Sequence, residues 1–160
     1  MLGPVTTIDG LNAGRVINIT SAASSVDLSR LIVYNGSTGG NGGGILSQAA
    51  QLTLTSMEVI SNTAASGGGI YIGTGLQAAI DGVGVFDSRA LSGHGGGIYN
   101  AANSDVTIVG GGVSNCEASG NGGGIYNDTG SRVHVTGGFA IDGNEAQNGG
   151  GIYNNSATLP

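Results

Sequence analysis

Apolar residues return along this chain at one long interval and alternate with polar residues over short runs. An isoleucine closes each glycine-rich stretch at Ile45, Ile70, Ile98, Ile125 and Ile152, in steps of 25, 28, 27 and 27 residues. Each of the first four is followed by an alternating pair: Leu52/Leu54, Ala78/Ile80, Val106/Ile108 and Val133/Val135. A second set of pairs comes after it: Met57/Val59, Val83/Val85, Gly111/Val113 and Phe139/Ile141. Alternation with period two is the mark of a half-buried strand, and no segment has helical spacing.

A unit that recurs at this period is one turn of a repeat architecture. Three short strands per unit predict an all-β fold, a single-stranded parallel β-helix (solenoid) of about six coils. Like residues of successive coils then stack about 4.8 Å apart. A sandwich needs a hairpin turn at every strand end, and a propeller blade needs about 40 residues, so both fit worse. The whole chain, residues 1–160, reads as one solenoid domain. Residues 1–41 form an irregular first coil with "SAASS" as an insertion, 42–66, 67–94, 95–121 and 122–148 are repeat coils, and 149–160 is a partial last coil.

The stacking gives several columns a predicted role. The five isoleucines form the core ladder. Gly67, Gly95, Gly122 and Gly149 open tight corners that need positive φ and close backbone approach. Asn62, Ser88, Cys116 and Asn144 share a column of polar or small residues whose amides bond neighbouring backbone. Two residues further on stand Ala64, Ala90, Ala118 and Ala146. Tyr71, Tyr99, Tyr126 and Tyr153 alternate outward and form a candidate interaction ladder for sugars or another protein, or stack on one another for stability.

Composition narrows the functional classes. There are 34 glycines, yet the regular apolar columns argue against disorder. No apolar run approaches the roughly 20 residues of a membrane helix, so no transmembrane segment is expected. The start lacks the features of a secretory signal peptide. The chain has no lysine, four arginines and a net charge of -6, which excludes nucleic acid as a natural partner. A single cysteine rules out an internal disulfide and a cysteine zinc site.

Candidate chemistry is sparse. Asp142, Glu145 and Glu117 make a small acidic strip, but Arg89 stands in register with Glu117 and Glu145, which reads as a charge-balancing ladder rather than a hydrolase pair. His94 and His134 lack partners for a metal site or a nucleophile triad. No Lys-Ser/Thr follows any glycine triplet, so no phosphate loop is expected. No cofactor, metal or catalytic residue is assigned. Sequons at Asn18, Asn35, Asn127 and Asn154 read as chance in so Asn-rich a chain.

The units "NTAASGGGIYI", "CEASGNGGGIYN" and "NEAQNGGGIYN" resemble the repeats of polymorphic outer-membrane proteins and autotransporter-like surface passengers. The resemblance covers roughly Val5 to Asn155, and it implies a right-handed β-helix with a secreted or cell-surface structural, adhesive or interaction role. The leading expectation is a non-enzymatic extracellular structural protein that self-associates head to tail into a filament or adhesive fibre. Its partner is then itself, with glycans or other surface proteins as further candidates. The alternatives are a carbohydrate-binding or polysaccharide-cleaving β-helix, or a piece of a larger adhesin passenger.

Overall fold

A computed structural model describes residues 5–155. Among them there are nineteen short strands and no helix. The chain enters through β1 (Thr6–Asp9) and then winds repeatedly in one sense. One coil holds β2 (Ile17–Ile19), β3 (Ser25–Ser29) and β4 (Leu31–Tyr34); the next holds β5 (Ile45–Ser47), β6 (Gln51–Thr55), β7 (Glu58–Ile60) and β8 (Thr63–Ala64). The third has β9 (Ile70–Ile72), β10 (Gln77–Phe86) and β11 (Arg89–Ala90), and the fourth has β12 (Ile98–Asn100), β13 (Asp105–Ser114) and β14 (Glu117–Asn121). The fifth has β15 (Ile125–Asn127), β16 (Arg132–Thr136), β17 (Ala140–Asp142) and β18 (Glu145–Asn148), and β19 (Ile152–Asn154) opens the sixth.

Every pairing between these strands is parallel, and like positions meet in register. The first side is a six-stranded sheet ordered β2-β5-β9-β12-β15-β19, in which Ile17, Ile45, Ile70, Ile98, Ile125 and Ile152 form one column. The second and third sides belong to one nine-stranded sheet that bends at a corner, because β10 and β13 run through both. The bend falls at Arg30, Ser56, Gly82, Gly110 and Gly137, all at positive φ. A four-stranded sheet, β8-β11-β14-β18, adds a short fourth segment to the coil at the Ala64, Ala90, Ala118 and Ala146 column. The solenoid thus has four strand columns per coil where three short strands were expected.

The expected core pairs lie where the alternation puts them. Leu52, Ala78 and Val106 align, as do Leu54, Ile80 and Ile108, and Val59, Val85, Val113 and Ile141. Ile45, Ile70, Ile98 and Ile125 are sealed at 0–1% exposure, but Ile152, in the outermost layer, is 45% exposed. Residues 17–34 differ from the irregular coil expected: Ile17 pairs with Ile45, Val26 with Leu52, Leu28 with Leu54 and Val33 with Val59. "SAASS" only lengthens the connection between the first two sides, and β1 belongs to a preceding partial coil through its pairing with β4.

One triplet shows why three glycines are needed. Gly95 has φ +65, in the left-handed region. A Cβ on Gly96 would press against the Glu117 carbonyl oxygen, at the end of its own coil, and lie 2.5 Å from that of Gly123, at the start of the next. A Cβ on Gly97 would point into the core, 2.6 Å from a Val113 methyl. The corner demands a conformation at its first residue, backbone contact at its second and an empty core position at its third. Gly67, Gly122 and Gly149 also have positive φ and occupy the same place in their coils.

Candidate functional site

The Asn62 column fills the inside of the corner between the third and fourth sides. Asn62 Oδ1 accepts from the Gly36 N–H at 2.7 Å, and its Nδ2 donates to the carbonyls of Val33 at 3.1 Å and Ile60 at 2.9 Å. Asn144 repeats the arrangement, accepting from the Cys116 N–H at 2.9 Å and donating to the Val113 carbonyl at 2.9 Å. Ser88 accepts from the Asn62 N–H and donates to the Phe86 carbonyl at 3.0 Å. Each side chain thus satisfies backbone of the coil before it, as a buried polar group must. Cys116 occupies the same position at 1% exposure, its Sγ 3.4 Å from the Ser114 carbonyl. Burial pushes its thiol up to about 12, so it is protonated and inert at neutral pH. The residue before each member, Ser61, Asp87, Asn115 and Gly143, is left-handed and turns the chain inward.

A further amide ladder runs up the first side. Asn100, Asn127 and Asn154 are in register, each Nδ2 donating to the next Oδ1 at 2.7 and 2.8 Å. It begins abruptly, because the position below Asn100 is Ile72 and the buried Asn100 Oδ1 has no partner. The signal in the sequence was the last letter of "GGGIYN", which recurs 27 residues apart.

The tyrosines occupy the neighbouring column and stack on one another. Ring centroids are 4.7 Å apart for Tyr71 and Tyr99, 4.9 Å for Tyr99 and Tyr126, and 5.5 Å for Tyr126 and Tyr153. His94 reaches from the preceding corner and also stacks on Tyr126, at 4.6 Å, while its Nδ1 accepts from the Asn121 N–H at 2.9 Å. Tyr126 is left only 5% exposed. The ring faces are therefore engaged with each other, and a sugar would meet mainly edges and hydroxyls.

One carboxylate completes this face. Tyr99 donates its hydroxyl to Asp128 Oδ2 at 2.9 Å, and Asp128 Oδ1 accepts from the Thr129 N–H and the Asn155 amide. Burial works to raise the Asp128 carboxyl, but these hydrogen bonds together hold it below its usual range. Burial, and then the nearby Asp128 charge, push the Tyr71 and Tyr126 phenols up; burial and the hydrogen bond to Asp128 do the same to Tyr99. Alternation could place the tyrosines together but could not reveal Asp128 or His94, which come from corners.

The charged candidates lie on open sheet faces. Arg89 and Glu117 are register partners and pair at 2.9 Å, and Glu145 continues the column above Glu117. Both partners are about half exposed, so the pair is a surface bridge of small energetic weight. Arg132 sits above Asp105 at 3.5 Å. His134 lies outward on β16 in register with Thr107.

The two outermost layers differ from the interior. At one end Ile152 is 45% and Val135 37% exposed; at the other Val5 is 55% and Ile8 37% exposed. Ile8 and Ile152 belong to columns whose inner members are sealed. A depression of about 670 Å³ opens over β16 beside β19, lined by Val133, Val135, Ile152, Ser131, Asn127 and Asn154. Arg15, at the opposite end, folds toward its own second coil and donates to the carbonyls of Asn41 and Gly42 at 2.7–3.0 Å.

Comparison with protein families, with curated proteins and with solved structures finds no match, so the stacked columns and the open end layers stand on this chain's own geometry.

Proposed function

We propose that the protein is a non-enzymatic structural β-solenoid of the cell exterior that associates head to tail with copies of itself. The observation that carries this reading is the contrast within single columns. Ile152 and Ile8 are 45% and 37% exposed, whereas Ile125 and Val33 are fully enclosed. A parallel edge with apolar side chains is a template for further strands, and natural edges are usually blunted by lysine, proline or bulges. The chain has no lysine to do so. The two end layers are different surfaces, so their contact is heterologous and propagates as a filament instead of closing.

A structural role also agrees with where the polar side chains are used. The buried asparagines bond backbone and one another, the tyrosines stack on tyrosines, and Glu117 is engaged by Arg89. Glycan binding along the tyrosine column is the competing reading. Electron microscopy of the purified chain at micromolar concentration tests the proposal: elongated particles that lengthen with concentration are expected, and uniform discrete particles would overturn it. Glycan-array binding that is lost in a Tyr99→Ala/Tyr126→Ala variant would favour the competitor.

A further inference from the structure

We infer that Tyr99 is the side chain from which this protein gives up an electron, and that oxidation there joins Tyr99 covalently to Tyr71 of the neighbouring coil. Tyr71, Tyr99 and Asp128 lie within the stack of coils, so this chemistry does not depend on whether copies associate. The chain has no tryptophan, and Cys116 and Met57 are buried. Among the described residues the tyrosines are therefore the readily oxidised side chains within reach of an external oxidant. Four of the five tyrosines stand in the one stack.

A phenol gives up an electron easily only when its proton leaves with it, because the protonated radical is a very strong acid. Burial raises the titration of Tyr71, Tyr99 and Tyr126, which keeps tyrosinate out of the stack at neutral pH, so a proton acceptor has to be in place beforehand. Tyr99 has one. Its hydroxyl donates to Asp128 Oδ2 at 2.9 Å, and among the described residues no other phenol is hydrogen-bonded to a carboxylate. The Thr129 N–H and the Asn155 amide hold that carboxylate ionised from its other oxygen.

The electron goes to an external one-electron oxidant, such as the ferryl haem of a peroxidase or a ruthenium(III) complex. As it leaves the Tyr99 ring, the hydroxyl proton crosses to Asp128 Oδ2. A neutral phenoxyl radical then stands beside a carboxylic acid, which returns its proton to water. Tyr71 is the neighbour best placed to trap the radical: the rings are 4.7 Å apart and 14° from parallel, against 4.9 Å and 27° for Tyr126. Tyr71 is only half-buried, whereas Tyr126 is enclosed with His94 and Tyr153 against it. A second oxidant takes an electron from Tyr71, whose proton passes to water, and the two radicals face each other. Their ortho carbons join in one C–C bond, and the ring hydrogens at that bond move to the oxygens as the rings regain aromaticity. The pair has then lost two electrons and two protons, and register partners on β9 and β12 are stapled together.

Photo-oxidation of the full chain with tris(bipyridine)ruthenium(II) and persulfate, which generates the ruthenium(III) oxidant, tests this. Dityrosine fluorescence should appear in the monomer band of a denaturing gel, with a yield independent of chain concentration. Mass spectrometry should find the Tyr71 and Tyr99 peptides joined with the loss of two hydrogens. Tyr71→Phe and Tyr99→Phe should each abolish that product, and Tyr34→Phe, which removes the exposed tyrosine outside the stack, should leave it unchanged. Asp128→Asn, which replaces the proton acceptor by a non-basic amide, should slow the reaction several-fold. Heavy water should slow the native chain as well, a readout that needs no variant. Absence of the Tyr71–Tyr99 product, links distributed by exposure with Tyr34 among them, dityrosine formed only between chains, or a rate indifferent to both Asp128→Asn and heavy water would overturn it.

Discussion

Side chains in the Asn62 column satisfy buried backbone: Asn62, Ser88 and Cys116 each bond groups in two coils, and Asn144 bonds two groups of the coil before it. Asn62→Ala would leave the Gly36 N–H and the Val33 carbonyl without their partner. A buried group so orphaned costs about 1–3 kcal/mol, and urea denaturation should show a loss of at least that size. Cys116 is held as a neutral thiol by burial. Ellman's reagent at pH 8 should therefore leave the folded protein unlabelled and label one thiol per chain in urea; rapid labelling without urea would contradict the buried position. These columns were legible in the sequence because a repeat near 27 residues is enough to align Asn62, Ser88, Cys116 and Asn144. The left-handed Arg30, Ser56 and Ser61 were not, since nothing in those residue types signals positive φ.

At the scale of one element, the glycine triplet and the tyrosine stack set the spacing of the coils. Gly96→Ala places a methyl against two backbone carbonyls and should cost about 1–3 kcal/mol, as overpacking does. Gly39→Ala, where a Cβ meets nothing, is the matched control and should be near neutral. The stack makes stability fall in alkali. The Tyr71, Tyr99 and Tyr126 phenols titrate above their ordinary value when folded, so the unfolded chain loses their protons first. Their contribution is complete below about pH 10 and is lost as pH rises beyond it. The tyrosinate absorbance of these three rings should consequently appear together with unfolding rather than before it. Asp128 acts in the opposite sense: its lowered carboxyl adds stability above the ordinary carboxylate range, and that share disappears as acid protonates it. Strand alternation revealed that the tyrosines share a face, but it could not show that Tyr126 is covered, because His94 arrives from another coil. The two-residue strand β11 was equally invisible as a strand, since only its neighbours above and below define it.

For the whole molecule, charge opposes the association that the end layers favour. Each chain has a net charge of -6, so copies repel one another. About 1 M salt cuts the screening length of that repulsion to roughly 3 Å. Light scattering should show the concentration needed for assembly falling as salt rises. Burial of the exposed Ile152 and Ile8 would supply the attraction, which salt does not weaken. Helical reconstruction of filaments from electron micrographs tests the central claim most directly. Association that continues the coil predicts strands about 4.8 Å apart with the spacing unbroken across every joint. Joints that interrupt the strand spacing, or particles one subunit long at every concentration, would contradict it.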